Sequence, residues 1–310
     1  MCIRDSPECA CGVEAIYYRI NYGPWIEYTG PFTIDEECKH TIQWYSIDYL
    51  GNAEQIHSTV VNVDSSPPVT SLSYGTPYYT DGIEEWITTS TPITLTAIDY
   101  PECACGVEAI YYRINYGPWI EYSGAFNIGI ECSHIIEYYA VDYLGNEEPH
   151  HIITVNVDDS SPSTTLNYGT PYYTDGIDEW ITTSTPITLT AVDEPECACG
   201  VKEIWYNYGA GWNVVAGDIA SFNISDECYH TLQYYAVDNL GNIETMHSVE
   251  INVDSSPPET TISFGMPYYY DGNNWITTST PIYLNATDYP DCACGVEAIY
   301  YRINLSLIHI

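Results

Sequence analysis

Basic residues are nearly absent from this sequence. Its 310 residues include only 6 lysines and arginines, against 43 aspartates and glutamates, for a formal net charge of −37. A chain this acidic does not attract nucleic-acid phosphates or an anionic lipid surface by charge. Long apolar runs are also missing, so we expect no membrane insertion within this fragment. We therefore predict neither nucleic acid nor lipid as a partner.

The residues in excess are tyrosine and cysteine. There are 32 tyrosines but only 4 phenylalanines, and there are 12 cysteines. Together with many Thr, Ser, Pro and Gly, this composition favours a β-rich extracellular chain over a cytosolic enzyme. The cysteines recur at fixed places, which predicts disulfides formed in an export compartment. A cytosolic chain would instead need these cysteines to bind metal.

One segment of about ninety-four residues is repeated along the chain. The motif Cys-Ala-Cys-Gly-Val begins at Cys9, Cys103, Cys197 and Cys292, at intervals of 94, 94 and 95 residues. A period of this length is the size of a domain rather than of a solenoid repeat. We predict a partial module without its front, two complete modules, and a partial module without its back. Their bounds are 7–63, 67–157, 162–253 and 257–304.

Two short stretches, 1–6 (MCIRDS) and 305–310 (LSLIHI), match no copy of the repeat. Back-translation makes them consistent with one oligonucleotide read on opposite strands, and they resemble translated ends of a sequencing adapter. Natural termini are the alternative. We exclude both from fold reasoning and expect the protein to be a slice of a longer array.

Alternating hydrophobicity predicts the secondary structure of each module. In the segment PITLTAID, Ile93, Leu95 and Ala97 share one face of a strand, and the threonines occupy the other. Turn signals such as NYGP and LGN separate several segments of this kind, and no stretch has a helical period. We therefore predict an all-β fold of tandem antiparallel Ig-like β-sandwich modules.

The segment Tyr17–Glu54 resembles the Ig-like or fibronectin-III-like β-sandwich repeats of archaeal and bacterial cell-surface proteins. Some of these are known as a β-barrel-type repeat domain of an outer-membrane protein family. The shared pattern matches Tyr111–Asn115, Trp119–Phe126 and Tyr139–Asn146. The resemblance implies a sandwich fold and says little about function, because such modules serve as spacers and as binders. The third copy departs from the pattern over Trp205–Phe222.

In a fibronectin-like path, the Cys-x-Cys motif lies at one pole of the module and the third cysteine at the other. A strand of seven residues spans about 23 Å, whereas the Cα atoms of a disulfide lie within about 7 Å. Links between consecutive repeats are therefore predicted, with a bond inside each module as the alternative. The predicted pairs are Cys38 with Cys103 or Cys105, Cys132 with Cys197 or Cys199, and Cys228 with Cys292 or Cys294.

The same pole geometry gathers carboxylates at the junction of two modules. Calcium prefers six to eight oxygen ligands, so such a cluster is a candidate calcium site; otherwise no cofactor is expected. A solvated acidic surface is the alternative, since no EF-hand loop is present. The candidate ligands are Asp64, Asp99, Glu102, Asp142 and Glu148.

Tyrosines in the PYYTDG and PYYYDG segments could stack on sugar rings, although aromatic residues in sandwiches more often fill the core. These candidate ligand-binding residues are Tyr78, Tyr79, Tyr172, Tyr173, Tyr268 and Tyr269. A Cys-His nucleophile at Cys132 and His134 is less plausible than a structural turn, because the motif recurs in each copy that reaches it. We predict no catalytic residue.

These observations favour a non-catalytic stalk or spacer region of a secreted or surface-anchored prokaryotic protein. The expected partners are neighbouring repeats in a longer chain, with glycans or surface proteins as further candidates. The alternatives are adhesion or carbohydrate-binding modules that use exposed Tyr and Trp loops, or accessory modules of an extracellular enzyme lost at the cut ends.

Overall fold

The computed structural model describes residues 12–303 and 306–309, and these residues contain strands, turns and no helix. The all-β, antiparallel and repeated architecture predicted from the sequence is confirmed. The described part of the chain accordingly holds no helix that could span a membrane. Two compact units meet at the bond between Val155 and Asn156, and each is described by itself.

The first copy of the repeat forms one four-stranded antiparallel sheet in the order β2-β1-β3-β4. Strand β3 is the longest and pairs with β1 on one side and β4 on the other. The strands are β1 (Val13–Ile20), β2 (Ile26–Glu27), β3 (Cys38–Asp48) and β4 (His57–Val63).

The second copy adds the strands that precede this sheet in a complete module. Strands β5 and β8 form a two-stranded antiparallel sheet, and the others form a six-stranded sheet in the order β10-β9-β11-β12-β7-β6. The turn after β9 is tight because Asn115 and Tyr116 adopt φ of +50° and +59°, as a hairpin requires. The strands are β5 (Val69–Tyr74), β6 (Tyr78–Thr80), β7 (Glu85–Ile87), β8 (Ile93–Ile98), β9 (Val107–Ile114), β10 (Ile120–Glu121), β11 (Cys132–Asp142) and β12 (His151–Val157).

The third copy has a three-stranded sheet, β13-β16-β19, and a six-stranded sheet, β14-β15-β21-β20-β17-β18. Its divergent hairpin, noted in the sequence, forms two four-residue strands, β18 and β19, and β19 extends the smaller sheet. The strands are β13 (Ser163–Tyr168), β14 (Tyr172–Thr174), β15 (Glu179–Ile181), β16 (Ile187–Val192), β17 (Val201–Asn207), β18 (Asn213–Ala216), β19 (Ile219–Phe222), β20 (Cys228–Asp238) and β21 (His247–Val253).

The hydrophobic core of the third copy consists of the inward residues of both sheets. Ile187 and Leu189 of β16 pack in one buried cluster with Ile204, Leu232 and Ile251 of β17, β20 and β21. Each of these five side chains is fully buried. Alternation along each strand places them on one face, because successive side chains of a strand point to opposite sides.

The fourth copy repeats the front of the module. Strand β22 pairs with β25 and β23 with β24, while β26 pairs with β27, which lies beyond the repeat; all three pairs are antiparallel. These strands are β22 (Glu259–Phe264), β23 (Tyr268–Tyr270), β24 (Asn274–Ile276), β25 (Ile282–Thr287), β26 (Tyr300–Ile303) and β27 (Ser306–His309).

Candidate functional site at the module junctions

Disulfides tie consecutive copies of the repeat together. Cys38, the first residue of β3, is bonded to Cys103 of the next copy, and Cys228, the first residue of β20, is bonded to Cys292. The Cα atoms lie 5.2 Å apart in both bonds. Cys132 and Cys197 are also disulfide-bonded. At both of these junctions the bond takes the first cysteine of the Cys-x-Cys motif.

In the three motifs that the structure describes, the second cysteine remains a thiol and lies beside the aspartate of the preceding linker. These thiols are Cys105, Cys199 and Cys294. The backbone N–H of Cys199 donates to Asp158 Oδ2 over 2.8 Å, and that of Cys294 donates to Asp254 Oδ2 over 2.9 Å. The linker carboxylate therefore fixes the backbone of the motif whose other cysteine carries the disulfide.

Three carboxylates surround the thiol in the third copy. Asp158, Asp193, Asp238 and Cys199 each place one donor atom within 4.8 Å of the others. Asp158, Asp238 and Cys199 are only 1%, 0% and 6% exposed. The same group recurs as Asp64, Asp99, Asp142 and Cys105, and as Asp254, Asp288 and Cys294.

Local turns hold these carboxylates in place. Asp238 Oδ1 accepts from the backbone N–H groups of Gly241 and Asn242 over 2.6 and 2.7 Å, which closes the Leu-Gly-Asn turn. The Asn242 side chain donates to Asp238 Oδ2 over 2.6 Å and to the Asp158 carbonyl oxygen over 3.3 Å. Asp193 Oδ2 accepts from the Gly200 N–H over 2.9 Å, whereas its buried Oδ1 has no hydrogen-bond partner.

The electrostatics of this cluster favour its protonated forms. Burial, together with the neighbouring charges of Asp158 and Asp238, raises the pKa of Asp193 to about 7. Burial also raises the pKa of the Cys105 thiol to about 11 and that of Cys199 further still. At neutral pH the thiols are therefore protonated, and Asp193 is close to the midpoint of its titration.

The structure separates the residues predicted to bind calcium. It brings Asp64, Asp99 and Asp142 together and adds Cys105, which the sequence reasoning missed. Glu102 lies outside this group. Glu148 is occupied elsewhere: it accepts hydrogen bonds from the backbone N–H groups of Thr70 and Ala140.

Three carboxylates and a sulfur could hold a divalent cation if the thiol lost its proton. This donor set differs from the all-oxygen set that calcium prefers. Calcium at the junction stays a prediction. The signal that could have revealed the fourth member was the nearly constant spacing of the second cysteine from the linker aspartate, which is 41, 41 and 40 residues at the three described junctions.

The segment 180–183, which begins with Trp180, forms hydrogen bonds with the linker between the third and fourth copies and with the start of the fourth copy. The Trp180 indole Nε1 donates to the carbonyl oxygen of Cys292 over 3.2 Å. The Asp254 N–H donates to the Ile181 carbonyl oxygen over 2.8 Å, and the Thr183 N–H donates to Ser255 Oγ over 2.8 Å. Strand β15 also pairs in parallel with β21, which leads into this linker. Trp180 is thus a junction residue.

The tyrosines predicted to bind a ligand lie on the β6–β7, β14–β15 and β23–β24 hairpins. The Tyr172 ring stacks on Tyr168 with centroids 5.2 Å apart, and the Tyr173 ring tilts against Trp180 at 5.6 Å. Tyr172 and Tyr173 keep 42% and 52% of their surface exposed. Tyr78, Tyr79, Tyr268 and Tyr269 occupy the same places in the other hairpins.

The cysteine-histidine motif is structural at the described sites. Cys132 is disulfide-bonded and is therefore no free nucleophile. The two ring nitrogens of His134 lie 2.8 Å from the Asn115 side-chain nitrogen and 2.8 Å from the Ile130 carbonyl oxygen. The buried imidazole thus connects the hairpin turn to the start of β11.

No family model and no curated protein matches this chain. Among solved structures, it is similar to the fibronectin(III)-like modules of CbhA from Clostridium thermocellum. The identity is 15%, the TM-score is 0.31, and the match covers 59% of this chain and 94% of that one. A Bacteroides ovatus surface protein, SGBP-B, solved with a mixed-linkage heptasaccharide, matches at 10% identity and a TM-score of 0.17, over 88% and 85% of the two chains. Both TM-scores are too low to support an argument about function.

Proposed function

We propose that this chain is a structural spacer built from sandwich modules, with the predicted bounds 67–157 and 162–253 for the complete ones. The observation that carries this proposal is the disulfide between Cys228 and Cys292, which bonds one copy to the next instead of closing a loop within a copy. A cross-link over a loop of this length stabilises by about 4 kcal/mol in the chain-entropy model. The junction thereby resists bending and local opening.

Hydrogen bonds reinforce the covalent tie. The indole of Trp180, the amide of Asp254 and the hydroxyl of Ser255 bind across the residues where one copy passes into the next. These groups would be solvated in a flexible linker. Because these groups are paired, the junction fits a rigid spacer, which transmits force or holds a fixed distance, better than it fits a flexible linker.

The rigidity of this junction can be measured with spin labels. We would attach them through unnatural amino acids at positions 165 and 261, which are exposed on β13 and β22. The oxidised chain should give a narrow distance distribution, and the double variant Cys228→Ser/Cys292→Ser should broaden it. The free-thiol variant Cys294→Ser is the matched control. Equal widths for the oxidised chain and the double variant would reject the rigid-spacer proposal.

The second candidate function is glycan or protein binding by the exposed hairpins. The supporting observation is that Tyr172 and Tyr173, which are consecutive residues of β14, are each about half exposed. Aromatic faces of this kind stack on apolar sugar faces. A glycan-array signal that disappears in Tyr172→Ala/Tyr173→Ala, but persists in Tyr229→Ala, supports this function; no signal above background with the unaltered chain opposes it.

We also propose an extracellular or cell-surface location. The inter-copy disulfides support it, because structural disulfides form and persist in oxidising compartments. Isolation of the protein from its source membrane or medium, followed by thiol trapping, tests this location. Fully reduced Cys228 and Cys292 in the source cells would contradict it.

A further inference from the structure

A cavity in the second copy is lined by residues of β5, β6, β7, β11 and β12. Its volume is about 340 Å³, which falls within the range of small-molecule pockets. Tyr78 is 40% exposed, so this ring carries the cavity lining to the surface of the protein. The residues that matter for its chemistry are Leu72, Tyr74, Tyr78, Glu85 and Ile153.

One buried hydroxyl group in this cavity has no hydrogen-bond partner. The Tyr74 hydroxyl oxygen is buried and unpaired, and the Tyr74 ring stacks on Tyr78 with centroids 5.3 Å apart. Burial and the charge of Glu85 raise the pKa of Tyr74, so the phenol keeps its proton at neutral pH and is available as a donor. A buried donor without a partner costs free energy, and an acceptor on a ligand would remove that cost.

A carboxylate supplies an acceptor in the same cavity. Glu85 Oε1 accepts a hydrogen bond from the Tyr78 hydroxyl over 3.2 Å. Among the described residues that line the cavity, Glu85 is the only charged one, and no lysine or arginine balances it. The site therefore repels an anionic ligand, because like charges raise the free energy of binding. Leu72 and Ile153 add apolar surface to the wall.

The third copy repeats this arrangement. The Tyr168 hydroxyl is buried and unpaired, and its ring stacks on Tyr172 with centroids 5.2 Å apart. The Tyr172 hydroxyl donates to Glu179 Oε1 over 3.3 Å. Burial and Glu179 raise the pKa of Tyr168. The second and third copies thus hold the same unpaired donor beside the same carboxylate.

The fourth copy changes both polar groups together. Phe264 stacks on Tyr268 with centroids 5.3 Å apart, so it occupies the place of the unpaired tyrosine. The Tyr268 hydroxyl donates to Asn274 Oδ1 over 2.8 Å, so an amide occupies the place of the glutamate. The ring stacking persists without the buried hydroxyl, which shows that packing alone does not require it. The donor and the carboxylate therefore fit a shared ligand better than separate structural roles.

We propose that this cavity of the second copy, and its counterpart in the third, bind the hydroxyl groups of an uncharged sugar. The unpaired tyrosine hydroxyl donates to the sugar, and the glutamate accepts from it. A sugar hydroxyl is both donor and acceptor, so adjacent hydroxyls satisfy both groups. The apolar C–H face of the sugar then contacts the exposed ring of Tyr78 or Tyr172. The inference rests on the second proposed function, glycan binding, and names the sugar class and the residues for it.

A glycan array probed with the full oxidised chain tests the sugar class. The array carries neutral hexose oligosaccharides and their uronic-acid and amino-sugar counterparts of equal length. The neutral sugars should bind about tenfold more tightly than the uronic acids, because the glutamates repel a carboxylate. Binding confined to the charged sugars would overturn the inference but leave glycan binding intact. No signal above background would reject both.

Two conservative double variants test the residues, by titration with the neutral oligosaccharide that binds most tightly on the array. Tyr74→Phe/Tyr168→Phe should weaken binding about fivefold, because it removes one hydrogen bond per site. It should not lower the free energy of unfolding, since these hydroxyls have no partner within the protein. Glu85→Gln/Glu179→Gln should weaken binding about tenfold, because a hydrogen bond to a charged group is stronger.

The control is Tyr143→Phe/Tyr229→Phe, which removes hydroxyls at exposed positions outside the cavity lining and should leave the affinity unchanged. Unchanged affinity in both test variants, or equal weakening in the control, would overturn the inference. Loss of stability in Tyr74→Phe/Tyr168→Phe would also contradict it, because the hydroxyls would then be paired within the protein. If Tyr172→Ala/Tyr173→Ala abolishes binding but neither test variant weakens it, the exposed hairpin binds glycan and the cavity does not.

Discussion

The indole nitrogen of Trp180 and the carbonyl oxygen of Cys292 lie 3.2 Å apart although 112 residues separate them in the chain. Cys292 is also the residue whose sulfur is bonded to Cys228. One residue of the fourth copy therefore receives both a covalent bond and a hydrogen bond from the third. The disulfide and the hydrogen bond at this junction can each be removed and tested separately.

Replacing Trp180 by phenylalanine should loosen this junction. The substitution keeps the ring but removes the Nε1 donor, and a hydrogen bond of this kind contributes about 1 kcal/mol. Amide hydrogen exchange of Asp254 and Cys294 should become several-fold faster. Trp275→Phe is the control, because Trp275 Nε1 donates within its own hairpin, to Asp271. Equal exchange in both variants would show that the bond does not hold the junction.

The three free thiols among the described residues should differ in reactivity. Cys294 is exposed, whereas Cys199 is buried and its pKa is raised further than that of Cys294, which is raised to about 11. Because the thiolate is the reactive form, iodoacetamide should label Cys294 at least tenfold faster than Cys199 in the native protein. A non-reducing peptide map should also join Cys38 to Cys103. Rapid native labelling of Cys199, or a Cys38–Cys105 peptide, would contradict the observed arrangement.

Stability should fall as pH rises through neutrality. The ordinary pKa of an aspartate is 3.8, and the pKa of Asp193 in the folded state is about 7. The folded state therefore holds this proton to higher pH than the unfolded state does. The stabilisation is full below pH about 4 and is lost as pH rises through about 7; at about 1.4 kcal/mol per pKa unit it amounts to up to about 4 kcal/mol.

Denaturant unfolding across this pH range measures the effect. Asp193→Asn should flatten the profile, because the amide cannot lose a proton, and Asp178→Asn, at an exposed position, should leave it unchanged. A bound divalent cation would favour the carboxylate and remove the pH dependence. A flat profile with chelator present would therefore refute the protonated cluster.

Glu148 should be essential to the stability of the second copy. Its carboxylate accepts from the Thr70 and Ala140 backbone amides and also from the Thr70 hydroxyl and His151. Glu148→Gln leaves buried donors poorly matched and should cost about 2–4 kcal/mol in unfolding free energy. The neighbouring Glu147, whose side chain is 54% exposed, supplies the control Glu147→Gln, which should change stability by less than about 0.5 kcal/mol. Similar losses for both would disprove the bridging role.

Much of the fold could be predicted because burial imposes a period on the sequence. The alternation of Ile93, Leu95 and Ala97 identifies a strand with one inward face, and the Cys-Ala-Cys repeats set the module length. The third copy's hairpin was the exception, since Gly209, Gly211 and Gly217 allow backbone conformations that no hydrophobic pattern specifies.

The repeat, the strands and the acidic character can be predicted from the sequence, because periodicity and composition are properties of the residues alone. Which acids meet depends on how the strands pack. Asp158, Asp193 and Asp238 come from a linker, a strand end and a turn spread over eighty residues. Glu148 instead accepts a hydrogen bond from the backbone N–H of Thr70. Such choices depend on the distances between strand ends after packing, and those distances are not encoded in the local spacing of the residues.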